Sequence, residues 1–394
     1  MTLRTARKKS KNPPYFSHEF VITNHGDIVS FVAMIIVIGL LYKGTHSLSS
    51  NFVFIQHNVT DEERPGAAPL YSPGRYDVCL VFFYSLICIV THAVLQEYVF
   101  DRFEKKLNLT KIRLGKFNES AHLTCFYTLS VIWGIYNVVN ENLIPSLSSL
   151  WEGYPHSLLP FWTKMFLLIQ ICYWIHDFPE LYFQRVKKEL IPARILHATM
   201  FIIGIAFAYV GGLSKLCIAL LIIHYATDVF LHSARALHLA DYPRIASVGF
   251  MIWNIMFIPV RMACIILPFL VLHYGLGKNS VPTVDLATGN FNTPTIRSTA
   301  MIFLFISQAY MVWNFITFHQ RSRRDKQSHS SSKGGWLGGA SQDAVGAKKK
   351  EKKKVKREEE ELSDGVAVDS AVDQRDVRRR KVNKSRPQTQ QQQQ

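Results

Sequence analysis

Cysteine and acidic residues are scarce in this sequence. It has 6 Cys in 394 residues, and 29 Asp and Glu against 45 Lys and Arg. All six cysteines lie within long apolar runs, which predicts packed thiols and excludes the disulfide framework of a small secreted protein. No segment between the apolar runs is long enough for a separate soluble domain on the far side of a membrane.

Long apolar runs are what the sequence has instead. Hydrophobic residues make up 48% of the chain, and 26 residues are Phe. Apolar runs of about 18 or more residues predict transmembrane helices. We predict an all-α membrane protein with eight of them, at residues 28–46, 77–97, 121–140, 160–178, 195–211, 214–234, 245–272 and 296–318. The first has a short apolar core, FVAMIIVIGLLY, and needs its flanks to span.

The positions of Lys and Arg predict the orientation. They cluster in the N-terminal tail (residues 1–27) and in the loops after the second and fourth spans, whereas the third loop, ENLIPSLSSLWEGYPHSLL, has none. Because cytoplasmic loops retain positive charge, both termini are predicted to be cytosolic. Ser17 is a plausible N-cap for a short interfacial helix before the first span.

Three glycosylation sequons occur, at Asn58, Asn108 and Asn118. The predicted topology places only Asn58 on the lumenal side, between the two spans of the region 28–116. Asn58 is therefore the predicted glycan site of a protein in the secretory pathway.

The C-terminal segment 321–394 loses the apolar runs and is predicted to be a disordered cytosolic tail. Its cluster KKKEKKKVKREEEELSDG joins a basic block to an acidic one. Such a run is a solvated tail, or it contacts anionic lipid headgroups or the ribosome. The acidic block before Ser363 resembles the target of an acid-directed kinase, which predicts phosphorylation there.

The sixth span, LLIIHYATDVFLHSARAL, carries four ionisable residues on one helical face, His224, Asp228, His232 and Arg235. An Asp one turn from a His can fix its tautomer for acid/base catalysis, or the two can satisfy each other as polar contacts between helices. A metal site is not predicted, because eight residues of helix separate the outer histidines by about 12 Å. Other polar residues in the spans are His92, Gln96, Glu97, Asn137, Asn140, His176, Asp177, Arg261, Gln308 and Asn314.

Several motifs resemble the translocating-chain-associating membrane proteins of the endoplasmic reticulum. They are PPYFSHEFVITNHGDIVSFVAM, HAVLQEY, KFNES, YWIHDFPELYFQRVKKELIP, HYATDVFLHSAR and TGNFN, in order from residue 13 to 319. The resemblance implies eight spans, cytosolic termini and a place beside the protein-conducting channel. The expected partners are that channel, nascent polypeptides with their signal sequences, and membrane lipids.

Residues 117–320 also resemble the TLC-type helical bundle of ceramide synthases. Those acyltransferases carry adjacent histidines and then a His-Asp pair, but here His197 is followed by Ala198 and His224 by Tyr225. The resemblance thus implies a cavity without catalytic residues or a cofactor. We predict its lining as His197, His224, Tyr225, Asp228, His232 and Arg235. The expected function is assistance to translocation or membrane insertion, and the alternative is a lipid-metabolising or sphingolipid-binding relative of ceramide synthases.

Overall fold

The computed structural model describes residues 17–59, 68–107, 111–143, 146–285 and 288–334, together with Pro14 and Leu109. Across these ranges the chain forms eleven α-helices and one small sheet. The helices are α1 (His18–Thr23), α2 (His25–Ile38), α3 (Lys43–Val53), α4 (Asp77–Leu95), α5 (Asp101–Leu107), α6 (Lys111–Asn140), α7 (Phe161–Phe183), α8 (Ile191–Val210), α9 (Ser214–Leu239), α10 (Pro243–Phe269) and α11 (Pro294–Gly334). The antiparallel strands are β1 (Asn58–Val59), β2 (Leu70–Tyr71) and β3 (Leu159–Pro160), in that order.

Local sequence signals explain where several helices begin. The Ser17 side chain accepts a hydrogen bond of 3.2 Å from the backbone N–H of Phe20, so the predicted N-cap of α1 is confirmed. Proline lies in the first turn of α8 and α10, where its missing N–H costs no helical hydrogen bond. Gly212, with φ +67°, makes the tight turn from α8 to α9.

Six helical segments of the described residues are long and apolar enough to cross a membrane. They are 77–107, 113–140, 191–210, 214–239, 243–279 and 294–320, and they match six of the predicted spans. The protein is therefore an all-α membrane protein. Helix α7 is long enough but carries Lys164, Asp177 and Glu180, and the apolar segment His25–Leu41 is shorter than a span. The total of eight spans stays a prediction.

Three helices end elsewhere than the sequence predicts. The first predicted span breaks into α2, a 3₁₀ turn (Gly39–Leu41) and α3, because the polar run KGTHSLSS follows its short apolar core. The second continues through a π-helical turn, Gln96–Phe100, into α5. Helix α11 continues to Gly334, beyond residue 320, since its Arg, Lys and Gln residues favour helix without needing burial.

The core surrounds α7 and α9. Phe166 and Leu167 of α7 and Ile218 of α9 are fully buried. Helix α9 packs against α6 on one side and α10 on the other, while α7 packs against α4 and α8. The ionisable residues of α9 therefore lie among helices, which is where charges in membrane proteins are tolerated.

Candidate functional site

The central pair of the predicted polar face on α9 is in contact. Nε2 of His224 lies 3.1 Å from Oδ2 of Asp228, one turn further along the helix. The two groups are at ion-pair distance, and no hydrogen bond joins them. His232 and Arg235 follow on α9, and both are buried.

Arg261 of α10 is the second partner of His224. The sequence identifies Arg261 only as a charge inside a span, yet its Nη1 lies 2.7 Å from Nδ1 of His224, and the residue is 1% exposed. A guanidinium always donates, so Nδ1 is the acceptor and the proton of the neutral imidazole lies on Nε2, facing Asp228. We call Asp228, His224 and Arg261 the α9–α10 bridge.

The α9–α10 bridge bears on the two hypotheses for His224, acid/base catalysis and polar contact between helices. A general base needs a free lone pair within reach of the substrate proton. The Nδ1 lone pair of His224 is occupied by Arg261, and Nε2 faces Asp228. The geometry therefore favours mutual satisfaction of polar groups over acid/base catalysis.

A cavity of about 280 Å³ lies between α8, α9, α10 and α11 and is open on one side. Its wall is mostly apolar and includes Met200, Phe201, Phe207, Leu216, Leu220, Leu221, Cys264, Leu272, Ala300, Phe303 and Leu304. Of the six residues predicted to line a cavity, only His224 lies in this wall. His197, Tyr225, Asp228, His232 and Arg235 lie outside this wall, and a cavity lined by all six residues stays a prediction.

Tyr225 and His197 belong instead to an aromatic cluster beside the cavity. The Tyr225 hydroxyl accepts a hydrogen bond of 3.2 Å from Nε1 of Trp174, and both residues are buried. The His197 ring lies 5.1 Å from Trp174. Successive residues of a helix point about 100° apart, so Tyr225 faces α7 when His224 faces the cavity.

One end of the cavity is polar. Ser307, Gln308 and Met311 of α11 line it together with His224. Oε1 of Gln308 accepts from Nη1 of Arg261 at 3.3 Å, and the Met311 sulfur lies 2.9 Å from the same nitrogen. Arg261 thus contacts three residues of the wall.

A second group of polar residues joins α4, α6 and α7. The rings of His92 and His122 lie 3.6 Å apart, those of His92 and His176 lie 5.8 Å apart, and Glu180 is 3.9 Å from His92. The sequence pointed to His92 and His176 but not to His122 or Glu180. Within the described ranges, no group of three or more His, Cys, Asp or Glu side chains is arranged to hold a metal ion.

Sequence reasoning missed a third buried group, at the start of α4 and α7. Nζ of Lys164 lies 2.7 Å from Oδ1 of Asp77, and neither residue is more than 5% exposed. Lys164 also donates to the carbonyls of Gln56 and Ser72, and Tyr209 donates to Oδ2 of Asp77 at 2.7 Å. These bonds fasten the segment around β1 and β2 to the helices.

Of the two predicted modification sites, only Asn58 lies within the described residues. Asn58 is exposed, at the start of strand β1. Ser363 lies outside the described residues, as does the rest of the tail from residue 335.

Comparisons with known proteins agree with the motifs. The TLC domain family matches residues 116–317. Human translocating chain-associated membrane protein 2 is 37% identical over 327 residues, which cover 83% of this chain and 88% of that protein. The mouse protein of the same name is 35% identical over the same length.

The TLC match overlaps five of the six long apolar helices that the structure describes. The resemblance inferred from the motifs is therefore confirmed, and the chain belongs to the translocating chain-associated membrane protein family, as a multi-pass protein of the endoplasmic reticulum membrane with a TLC domain.

Proposed function

We propose that this protein is an accessory of the protein-conducting channel that assists translocation or membrane insertion of nascent secretory and membrane proteins. The observation that carries the proposal is the 37% identity over 327 residues to a protein named for its association with translocating chains. The expected partners are the channel, signal sequences of nascent chains and membrane lipids. The basic tail is a further contact for the ribosome.

We expect a helical signal sequence to bind on an outer surface of the bundle. Large apolar side chains are exposed there, among them Ile203, Ile255 and Ile306. The α9–α10 bridge lies inside the bundle, where Arg261 is 1% exposed, and supports the bundle without touching the client.

The test places a photoreactive amino acid at outer or inner positions of the full chain in microsomes. The outer positions are Ile203, Ile255 and Ile306, which are 53%, 67% and 60% exposed, and the inner control is Leu221, which is 6% exposed. Ribosome-bound chains stalled with the signal sequence in the membrane should crosslink to at least one outer position and not to Leu221.

The functional part of the test uses microsomes from which this protein has been removed and to which the purified protein is then added back. Replenishment should restore translocation of precursors with weakly apolar signal sequences more than that of strongly apolar ones. If no outer position crosslinks to the nascent chain and replenishment has no effect on translocation, the proposal is ruled out. Crosslinking from Leu221 alone would place the client inside the bundle.

The alternative function is lipid metabolism. The observation that favours it is that His224 lies in the wall of an apolar cavity. The Nδ1 lone pair of His224 is occupied by Arg261, which speaks against a proton-transfer role, and the relatives named above are not named as enzymes.

A further inference from the structure

One edge of the Arg261 guanidinium has no hydrogen-bond partner among the described residues. Its polar contacts, to His224, Gln308 and Met311, are made by Nη1, and its guanidinium carbon lies 5.1 Å from the centroid of the Phe257 ring. Its Nε and Nη2 atoms are buried and have no hydrogen-bond partner. These two nitrogens carry three N–H groups, and a buried charged donor without an acceptor is costly.

The free edge has a specific chemical complement. Nε and Nη2 of a guanidinium form a planar fork that matches two oxygens of a carboxylate or a phosphate. His224 accepts from Nη1 of Arg261, and Asp228 contacts His224 on its other side. No acceptor among the described residues complements the fork, so an oxyanion from outside the chain would complete it once the wall residues that cover Arg261 move.

The cavity next to Arg261 fits the rest of such a ligand. Its wall is mostly apolar, and the polar end is formed by the residues that contact Arg261, namely His224, Gln308 and Met311. The 280 Å³ is the space open to the centres of water-sized groups, each of which takes about 10–15 Å³, so the cavity holds on the order of twenty methylenes. That is about one long acyl chain.

We infer that the cavity binds a single-chain lipid whose oxyanion head engages the Nε–Nη2 edge of Arg261. The acyl chain lies between α8 and α11, where the cavity is bounded by Phe207, Ala300 and Phe303. The head reaches Arg261 when the side chains of Gln308 and Met311, both flexible, rotate aside. This inference is independent of the proposed function, because the lipid site does not require a client.

The experiment uses the purified full chain in detergent and a long-chain fatty acid with a photoreactive group in its tail. Labelling should map to peptides of α8, α9 and α11. Unlabelled fatty acid or lysophosphatidate should compete, and the fatty alcohol of equal length should not. The stronger of the two competitors identifies the head as carboxylate or phosphate, whereas equal competition by the alcohol would refute a role for Arg261.

Arg261→Gln should weaken labelling at least about tenfold, as expected for the loss of a charged hydrogen bond. The matched control is Arg113→Gln, because Arg113 binds Asp241 and the Leu239 carbonyl, away from the cavity wall. Ala300→Phe keeps Arg261 and fills the space for the acyl chain, so it carries the test if Arg261→Gln aggregates. Unchanged labelling in a monodisperse Ala300→Phe protein, or no labelling of the natural protein, would overturn the inference. A failed translocation assay would contradict the proposed function but not the lipid site.

Discussion

At the scale of single residues, His224 joins a cation to an anion. Arg261 on one side and Asp228 on the other fix its tautomer, so the imidazole is a neutral spacer between opposite charges. An ion pair that is buried with good geometry offsets part of its desolvation cost. We therefore expect each residue of the α9–α10 bridge to contribute to stability only when the other two are present.

Arg261→Met alone should lower the stability of the folded protein by about 3–5 kcal/mol, because it leaves a buried carboxylate without its cation. The triple variant Arg261→Met, His224→Leu and Asp228→Leu should recover most of that loss, since no charge remains. The measurement is the midpoint temperature of unfolding in detergent, followed by fluorescence-detected size exclusion. A triple variant as unstable as the single one would contradict the mutual dependence of the three side chains.

The occupied lone pair of His224 predicts that the purified protein transfers no acyl group from acyl-CoA to a long-chain base. The measurement is product formation by mass spectrometry, with a ceramide synthase as positive control. Turnover that disappears in His224→Ala would refute this prediction and support the enzymatic alternative.

At the scale of elements, α7 shows how one polar side chain can fix a loop. Lys164 is fully buried and bonded to Asp77 and to two carbonyls of the segment before α4. Lys164→Met should cost about 3–5 kcal/mol, because Asp77 would lose its partner in a buried setting. Adding Asp77→Asn should restore part of the stability, since a neutral amide can still accept from Tyr209 and Gly74.

The matched control for α7 is Lys215→Met. Lys215 is only partly buried and donates to one carbonyl, that of Ser149, so its loss should change the unfolding midpoint little. If Lys164→Met and Lys215→Met lower the unfolding midpoint equally, the pair of Lys164 and Asp77 contributes nothing to stability.

The loop between α6 and α7 contains a pH-sensitive residue. Burial lowers the pKa of His156 below its usual 6.5, and its Nδ1 has no partner while Nε2 bonds to the Glu152 carbonyl. The unfolded loop therefore binds a proton more readily than the folded one. The contribution of His156 to stability is complete above about pH 6.5 and is lost as the pH falls further.

Thermal unfolding in detergent between about pH 7.5 and pH 5.5 checks this sign. The natural protein should lose stability on acidification more than His156→Gln, whose amide cannot gain a proton. Parallel pH profiles for the two proteins would show that His156 does not titrate on unfolding.

The sequence predicts local features of this fold better than distant ones. The contact between His224 and Asp228 follows from their spacing of four residues, and the Ser17 cap from its neighbours. Arg261 lies 37 residues from His224, and Lys164 lies far along the chain from Asp77, so no pattern within one helix reveals either pair. The apolar cavity depends on how four helices pack, which is why the polar pattern on α9 points to only one residue of its wall, His224.

At the scale of the whole molecule, glycosylation of a single residue, Asn58, checks the predicted orientation in the membrane. Asn58 is exposed on β1, whereas Asn118 lies within helix α6 with its side-chain oxygen buried. We expect Asn58 alone to carry a glycan, so that Asn58→Gln abolishes the mobility shift on glycosidase treatment. Asn118→Gln is the control and should leave the shift intact. A shift that persists in Asn58→Gln would mean that the topology is inverted or miscounted.

The α9–α10 bridge also has a consequence for how this protein is made. Arg at the centre of a lone helix in lipid costs about 2.5–3.5 kcal/mol on insertion scales, and Asp costs a similar amount. Helix α10 carries the cation and α9 the anion, and only residues 240–242 separate the two helices. During synthesis α9 and α10 should therefore leave the channel together as a hairpin, with their charges already paired.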